Sequence, residues 1–167
     1  MPDNWTIYRL LCCTPPDLDA ERVAFDAANA SFAEQVTMQA WILFGLASMR
    51  PDCDARVHRH ALESNIRFCD FSVHIFGEAD ADPAFTGFLE LSIACSRDAA
   101  FPMRSTAVMF RNPENASQEL SSLRAQLLAT GACVIRDFHD LDEFNVSARE
   151  ILSNWYSLVP QTGNLCQ

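Results

Sequence analysis

The constraint that bears hardest on this chain is its rhythm: short apolar runs alternate with stretches of helical periodicity, and the period changes at turn or capping residues. The apolar runs are Trp5 to Cys13 (WTIYRLLCC), Thr37 to Phe44 (TMQAWILF), Phe71 to Phe76 (FSVHIF), Ser105 to Phe110 (STAVMF) and Ala132 to Phe138 (ACVIRDF). They are mostly apolar at both odd and even positions, so they suit strands buried on both faces. Strands separated by helices pair in parallel, because each parallel neighbour needs a crossover. The expectation is an α/β domain of three layers, flavodoxin-like or Rossmann-like. Its five-stranded parallel sheet takes the order 2-1-3-4-5, with helices on both faces.

The intervening stretches carry their own punctuation. Thr14-Pro15-Pro16-Asp17 reads as a helix start, with Thr14 as cap, Pro15 in first position and Asp17 adding negative charge to the first turn. That helix is expected to run to about Glu34, with Leu18, Phe25 and Phe32 on one face. Asp54 can cap a second helix through Cys69, with Val57, Ala61, Leu62 and Ile66 inward. A third begins after Thr86 and carries Glu90 among Leu89, Leu91, Ile93 and Ala94. Asn112-Pro113 repeats the cap-then-proline pattern before Ala116, Leu120, Leu123 and Leu127, and Gly131 is the expected stop. Asp140 and Glu143 resemble a capping box before Leu141, Phe144, Ala148, Ile151, Leu152 and Trp155. One domain over 1–160 with a loose tail at 161–167 accounts for the whole chain.

Composition removes several functions. The net charge is −10 and all 12 basic residues are arginine. An acidic surface repels phosphate backbones, so direct nucleic-acid binding is not expected. Without lysine there is no Schiff-base chemistry and no phosphate-loop lysine. No G-x-G-x-x-G pattern occurs, so no nucleotide cofactor is expected. Cys53, His58, His60 and Cys69 match no common zinc spacing, so no metal is expected either. No apolar run reaches the roughly 20 residues of a membrane helix, and the N-terminus lacks a secretory pattern. Together with seven cysteines and no C-x-x-C pair, these features point to a reduced, cytoplasmic setting.

Three stretches resemble a known family. CCTPPDLDAER (12–22) is similar to the S-S-T-x-x-D-L-x-x-E-R opening of bacterial DUF4062 domains, which are related to the TIR and nucleoside 2-deoxyribosyltransferase-like folds. IRFCDFSVHIFGE (66–78) resembles their second signature, and FTGFLELSIA (85–94) sits where they carry a threonine and then a helical glutamate. Cys12 and Cys13 stand in place of the family's paired serines, and Gly87 in place of an acid. The resemblance implies a nucleoside- or nucleotide-binding domain that takes a nucleoside or NAD-like small molecule. Glu90 would be the catalytic carboxylate of an N-glycosidase or deoxyribosyltransferase, since breaking an N-glycosidic bond builds positive charge on the sugar. Thr14, Asp17, Asp70, Gly77 and Thr86 would line the substrate site. The alternative is a non-catalytic signalling or protein-interaction module of a bacterial stress or defence pathway.

Each nominated residue also has a plainer role. Glu90 can be a solvated helix residue, Thr14 and Asp17 a helix cap, Arg22 a surface partner for Asp19 or Asp26, and Asp70 a hydrogen-bonding group for its own loop. Asp80 and Asp82 suit simple loop solvation. His74 invites a cysteine–histidine nucleophile, yet a lone histidine in an apolar strand is more often a satisfied core residue. Cys12 and Cys13, as successive strand residues, point to opposite faces and suit packing better than redox chemistry. Trp155, Tyr156 and Leu158 either close the core or offer a homodimer surface.

Overall fold

The computed structural model describes residues 6–40, 42–48, 55–80 and 82–160, the side chains at 37–40, 42–48 and 55–58 excepted. It is an α/β structure of parallel strands with helical crossovers, as the alternation demands. Strands β1 (Thr6–Cys13), β2 (Ile42–Ser48), β3 (Phe71–Phe76), β4 (Ser105–Arg111) and β5 (Val134–Phe138) pair in the order β2-β1-β3-β4-β5. Between and after them run α1 (Asp19–Ala40), α2 (Ala55–Phe68), α3 (Pro83–Arg97), α4 (Gln118–Thr130) and α5 (Leu141–Ser157).

Side chains alternate across the strands, so each strand feeds two cores. On one face Tyr8, Leu10, Cys12, Phe71, Val73, Ile75, Ala107 and Met109 pack against Phe25 and Ala28 of α1 and Phe144, Ile151, Leu152 and Trp155 of α5. Trp155 stacks on Phe71 at 5.0 Å and meets Phe25 edge-on at 6.4 Å. It therefore closes the core, which answers the choice between core and dimer surface for this residue. On the other face Leu11 and Cys13 meet α2 and α3, while Phe76, Val108 and Phe110 meet α3 and α4. Cys12 and Cys13 thus belong to opposite cores, and burial pushes both thiols up, leaving them protonated.

Several boundaries differ from the sequence expectation. Thr37 to Ala40 continues α1 instead of opening a strand, because no Gly or Pro interrupts it and Met, Gln and Ala favour helix. The second strand accordingly begins at Ile42 and takes in Gly45, with Thr6↔Ile42 through Cys12↔Ser48 in register. Thr14 caps nothing: the chain enters a 3-10 turn, Pro16–Leu18, behind Pro15, without a side-chain cap. The third helix begins at Pro83, ahead of Thr86, with the Asp82 carboxylate accepting the Ala84 N–H at 2.8 Å, so Asp82 is a cap as well as a loop acid. Asn112 adopts the left-handed conformation (φ 44°) and precedes only a 3-10 turn, Pro113–Asn115, to which its side chain supplies no cap. Ser117 caps α4 instead, its hydroxyl accepting the Leu120 N–H. Gly131 ends α4 at φ 59°, where a side chain would strain the backbone. Asp140 caps α5, while Glu143 reaches back to the His139 N–H, one residue before the cap. The expected Asp54 cap, Cys53 and the tail at 161–167 lie outside the described residues.

The β5 edge is flanked by ion pairs on both faces. Arg124 of α4 holds Asp137, Arg136 holds Glu150 of α5 at 3.0 Å, and Arg136 Nη1 also donates to the Ile135 carbonyl at 3.0 Å.

Candidate functional site

In a parallel α/β sheet, loops leaving the carboxyl ends of the strands build the ligand crevice, above all where the strand order reverses. Here that place lies between β1 and β3. The chain leaves β1 at Cys13 and turns through Thr14 and Pro15 into the 3-10 turn, which sets Asp17 exposed at the rim and Leu18 buried beneath it. Gly77 ends β3. A Cβ at Gly77 would lie 3.6 Å from Asp17 Oδ2, 3.6 Å from Arg111 Nη2 and 3.7 Å from Leu18 Cδ2. The missing side chain therefore leaves a small gap with a carboxylate on one side and a guanidinium on the other.

Arg111, the last residue of β4, organises the charges. Its Nη1 donates to Glu21 Oε1 at 3.1 Å and its Nε lies 3.7 Å from Glu78 Oε1. The Glu21 side chain is only 7% exposed, so removing its partner would strand a carboxylate out of water. Glu78 also accepts from Asn112 Nδ2, which holds the left-handed turn after β4 against the loop after β3. The Glu78 carbonyl in turn accepts the Ser117 N–H at 2.8 Å. An open hollow of about 580 Å³ lies alongside, lined by Asp80, Ser117, Gln118, Glu119 and Ser122.

Two carboxylates, Glu21 and Glu78, thus flank the Arg111 guanidinium, and a third, Asp17, faces the same gap. Such a set repels a polyanion and accepts hydrogen bonds from hydroxyl groups. It favours a neutral polyhydroxylated ligand or a cation over a di- or triphosphate. Among the described residues no group of His, Cys, Asp and Glu is arranged to hold a metal.

The residues nominated from sequence fall in different places. Asp17 and Gly77 come together at the gap. Thr14 is buried (5% exposed) where the chain leaves β1. Thr86 spends its hydroxyl on the Pro83 carbonyl of its own helix, at 2.9 Å. Asp70 lies at the opposite end of the sheet: it precedes β3, its carboxylate accepts the Arg9 N–H at 2.9 Å, and its carbonyl accepts the Arg104 N–H. It cannot share a ligand with Gly77, six strand residues and roughly 20 Å away. Glu90 is exposed on α3, whose inward positions belong to Phe88, Leu89, Ser92 and Cys95. Arg22 pairs with Asp19 and Asp26, at 2.7 and 3.3 Å, rather than with Asp17. Sequence reasoning missed Glu21, Glu78, Arg111 and Asn112. The available signal was Arg111 itself, a charge closing an apolar strand at its carboxyl end.

His74 is no catalytic histidine in this arrangement. It is 1% exposed, Nε2 meets the Ser92 hydroxyl at 2.9 Å, and Nδ1 is buried without a hydrogen-bond partner. Burial lowers its pKa to about 3, so the ring is neutral. Its register partner Cys13 is buried and protonated as well.

No family model and no curated protein matches the chain. Among solved structures it is similar to the crystal structure of CapF with the inhibitor 3-isopropenyl-tropolone, at 13% identity and a TM-score of 0.39. The likeness covers 78% of this chain and 29% of that one. No helix of the described residues is long and apolar enough to cross a membrane.

Proposed function

We propose that this chain is a recognition domain for a nucleoside or a similar neutral, polyhydroxylated small molecule, bound at the carboxyl ends of β1, β3 and β4. In this reading its fold is of the three-layer flavodoxin-like kind, and it serves as a non-catalytic signalling or interaction module. The observation that carries the proposal is the gap at Gly77 between the Asp17 carboxylate and the Arg111–Glu21–Glu78 set. Carboxylates in such a crevice pair naturally with the vicinal hydroxyls of a ribose, and their excess negative charge disfavours phosphorylated forms. The resemblance of CCTPPDLDAER and IRFCDFSVHIFGE to DUF4062 domains supports the same ligand class. An N-glycosidase working through Glu90 is the less favoured reading, because an exposed carboxylate lacks the desolvated surroundings that make an acid effective against a sugar cation.

The test is calorimetric titration with adenosine, deoxyadenosine, AMP and NAD, together with an assay for released base. The expected result is binding of a nucleoside in preference to its phosphorylated form, without base release. Asp17→Asn should weaken binding by at least about tenfold, the cost of one charge-assisted hydrogen bond. Gly77→Val should abolish binding by filling the gap, and Glu90→Gln should leave affinity unchanged. Base release that disappears in Glu90→Gln would instead establish the enzyme. Failure of every nucleoside to bind would sink the recognition reading.

A further inference from the structure

His139 follows β5 and stands between two elements. Its Nδ1 is 2.7 Å from Glu143 Oε2 on α5, and its Nε2 is 3.2 Å from Glu114 Oε2 in the 3-10 turn after β4. Glu143 Oε2 also accepts the His139 backbone N–H at 2.8 Å, which fixes the carboxylate relative to the ring. A neutral imidazole carries one N–H and can donate to only one of these acids, whereas an imidazolium donates to both. The other acids nearby on α5 are Asp140, its cap, and Asp142 in its first turn. Among the described residues no arginine pairs with Glu114 or Glu143.

We infer that His139 is a proton-operated clamp that fastens the Pro113–Asn115 turn to the start of α5 and releases it when the ring loses a proton. The turn matters because Asn112 enters it. The Asn112 N–H donates to the Phe138 carbonyl at 2.9 Å, its carbonyl accepts the Asn115 N–H at 2.8 Å, and its side chain holds Glu78. The clamp therefore braces, from outside, the same turn that steadies Glu78 beside Arg111. On deprotonation the ring keeps its shorter contact, to Glu143, and gives up Glu114. The hydrogen bond to Glu143, aided by the charge of Glu114, raises the histidine above its ordinary range. A raised folded value means the contact is complete below the ordinary value of about 6.5 and is lost as pH rises through the folded one.

The experiment is a pH titration of the full chain by nuclear magnetic resonance, following the ¹⁵N shifts of the histidine rings and the backbone amides. The expected result is a His139 midpoint above about 6.5 and a neutral form protonated at Nδ1. The amides of Asn112, Glu114 and Asn115 should move with the same midpoint. Glu143→Gln and Glu114→Gln should each lower that midpoint, the first more than the second. In His139→Gln the pH-dependent movement of the three amides should vanish. A midpoint at or below about 6.5, a neutral form protonated at Nε2, or amide shifts that persist in His139→Gln would each overturn the proposal. The titration does not depend on the ligand reading: if no nucleoside binds, the clamp is still tested.

Discussion

The two faces of the sheet solve the same burial problem with different chemistry. Toward α1 and α5 the strands present a mainly apolar and aromatic surface, in which Phe25, Phe71 and Trp155 interlock and charge, among the described residues, is confined to the Arg111–Glu21 and Arg136–Glu150 pairs. Toward α2, α3 and α4 the same strands carry a polar seam through the core. Ser72 donates to Thr106 at 3.2 Å, and His74 meets Ser92 at 2.9 Å, all four residues being at most 1% exposed. The first face gains stability from area and shape. The second gains less per residue and demands that its partners line up, since each buried polar group left unpaired costs more than its hydrogen bond returns. The aromatic face therefore accounts for stability, and the polar face for the placing of α3 on the sheet.

The largest expected break in this comparison is on the aromatic face. Trp155→Ala removes a fully buried ring from between two others and should cost about 3–5 kcal/mol, read as a lower denaturant midpoint in urea. A loss under about 1 kcal/mol would mean that α5 is not stability's main support.

The next effect belongs to the polar face and depends on pH. His74 stays neutral in the folded protein down to about 3, whereas in the unfolded chain it takes up a proton near 6.5. The unfolded state then binds more protons between those values, so stability is complete above about 6.5 and falls on acidification. The slope from this residue approaches about 1.4 kcal/mol per pH unit. Urea unfolding of the wild type and of His74→Gln between neutral pH and pH 4.5 isolates it from the carboxylates, and the variant should show the shallower decline. Equal slopes would show that the ring is not buried neutral.

The smallest effect tests pairing itself. Ser72→Ala should cost on the order of 1–2 kcal/mol, because it leaves the Thr106 hydroxyl unpaired. The double variant with Thr106→Val should cost less than the sum of the two single changes, and strict additivity would deny the bond.

What could be read in the sequence follows from what is local. Phe71 to Phe76, Gly131 and the Asp140 cap depend on neighbours within a few residues, and their roles emerge directly from spacing. The start of β2 is not marked locally, because TMQA favours helix and runs without a Gly or Pro into the apolar residues that follow, and tertiary pairing with β1 decides where the strand begins. Strand direction sends Asp70, just before β3, and Gly77, just after it, to opposite ends of the sheet, although both sit in one motif. The Arg111–Glu21 pair joins residues ninety positions apart, and no local pattern announces such a partner. Asp17 and Gly77 were visible from the loops that follow their strands; the charges that define their surroundings were not.

The ion pairs along β5 have a consequence for life in a crowded solution. A bare outer strand is a template on which another chain can extend the sheet, and proteins that leave one open risk fibrous self-association. On this edge two ion pairs tie the strand to its covering helices, Arg124 of α4 to Asp137 of the strand and Arg136 of the strand to Glu150 of α5, and Arg136 also occupies a main-chain carbonyl. An incoming strand would have to displace bound charge before it could form its first backbone hydrogen bond. The protein thus discourages edge-to-edge growth with side chains that contribute little to its own stability.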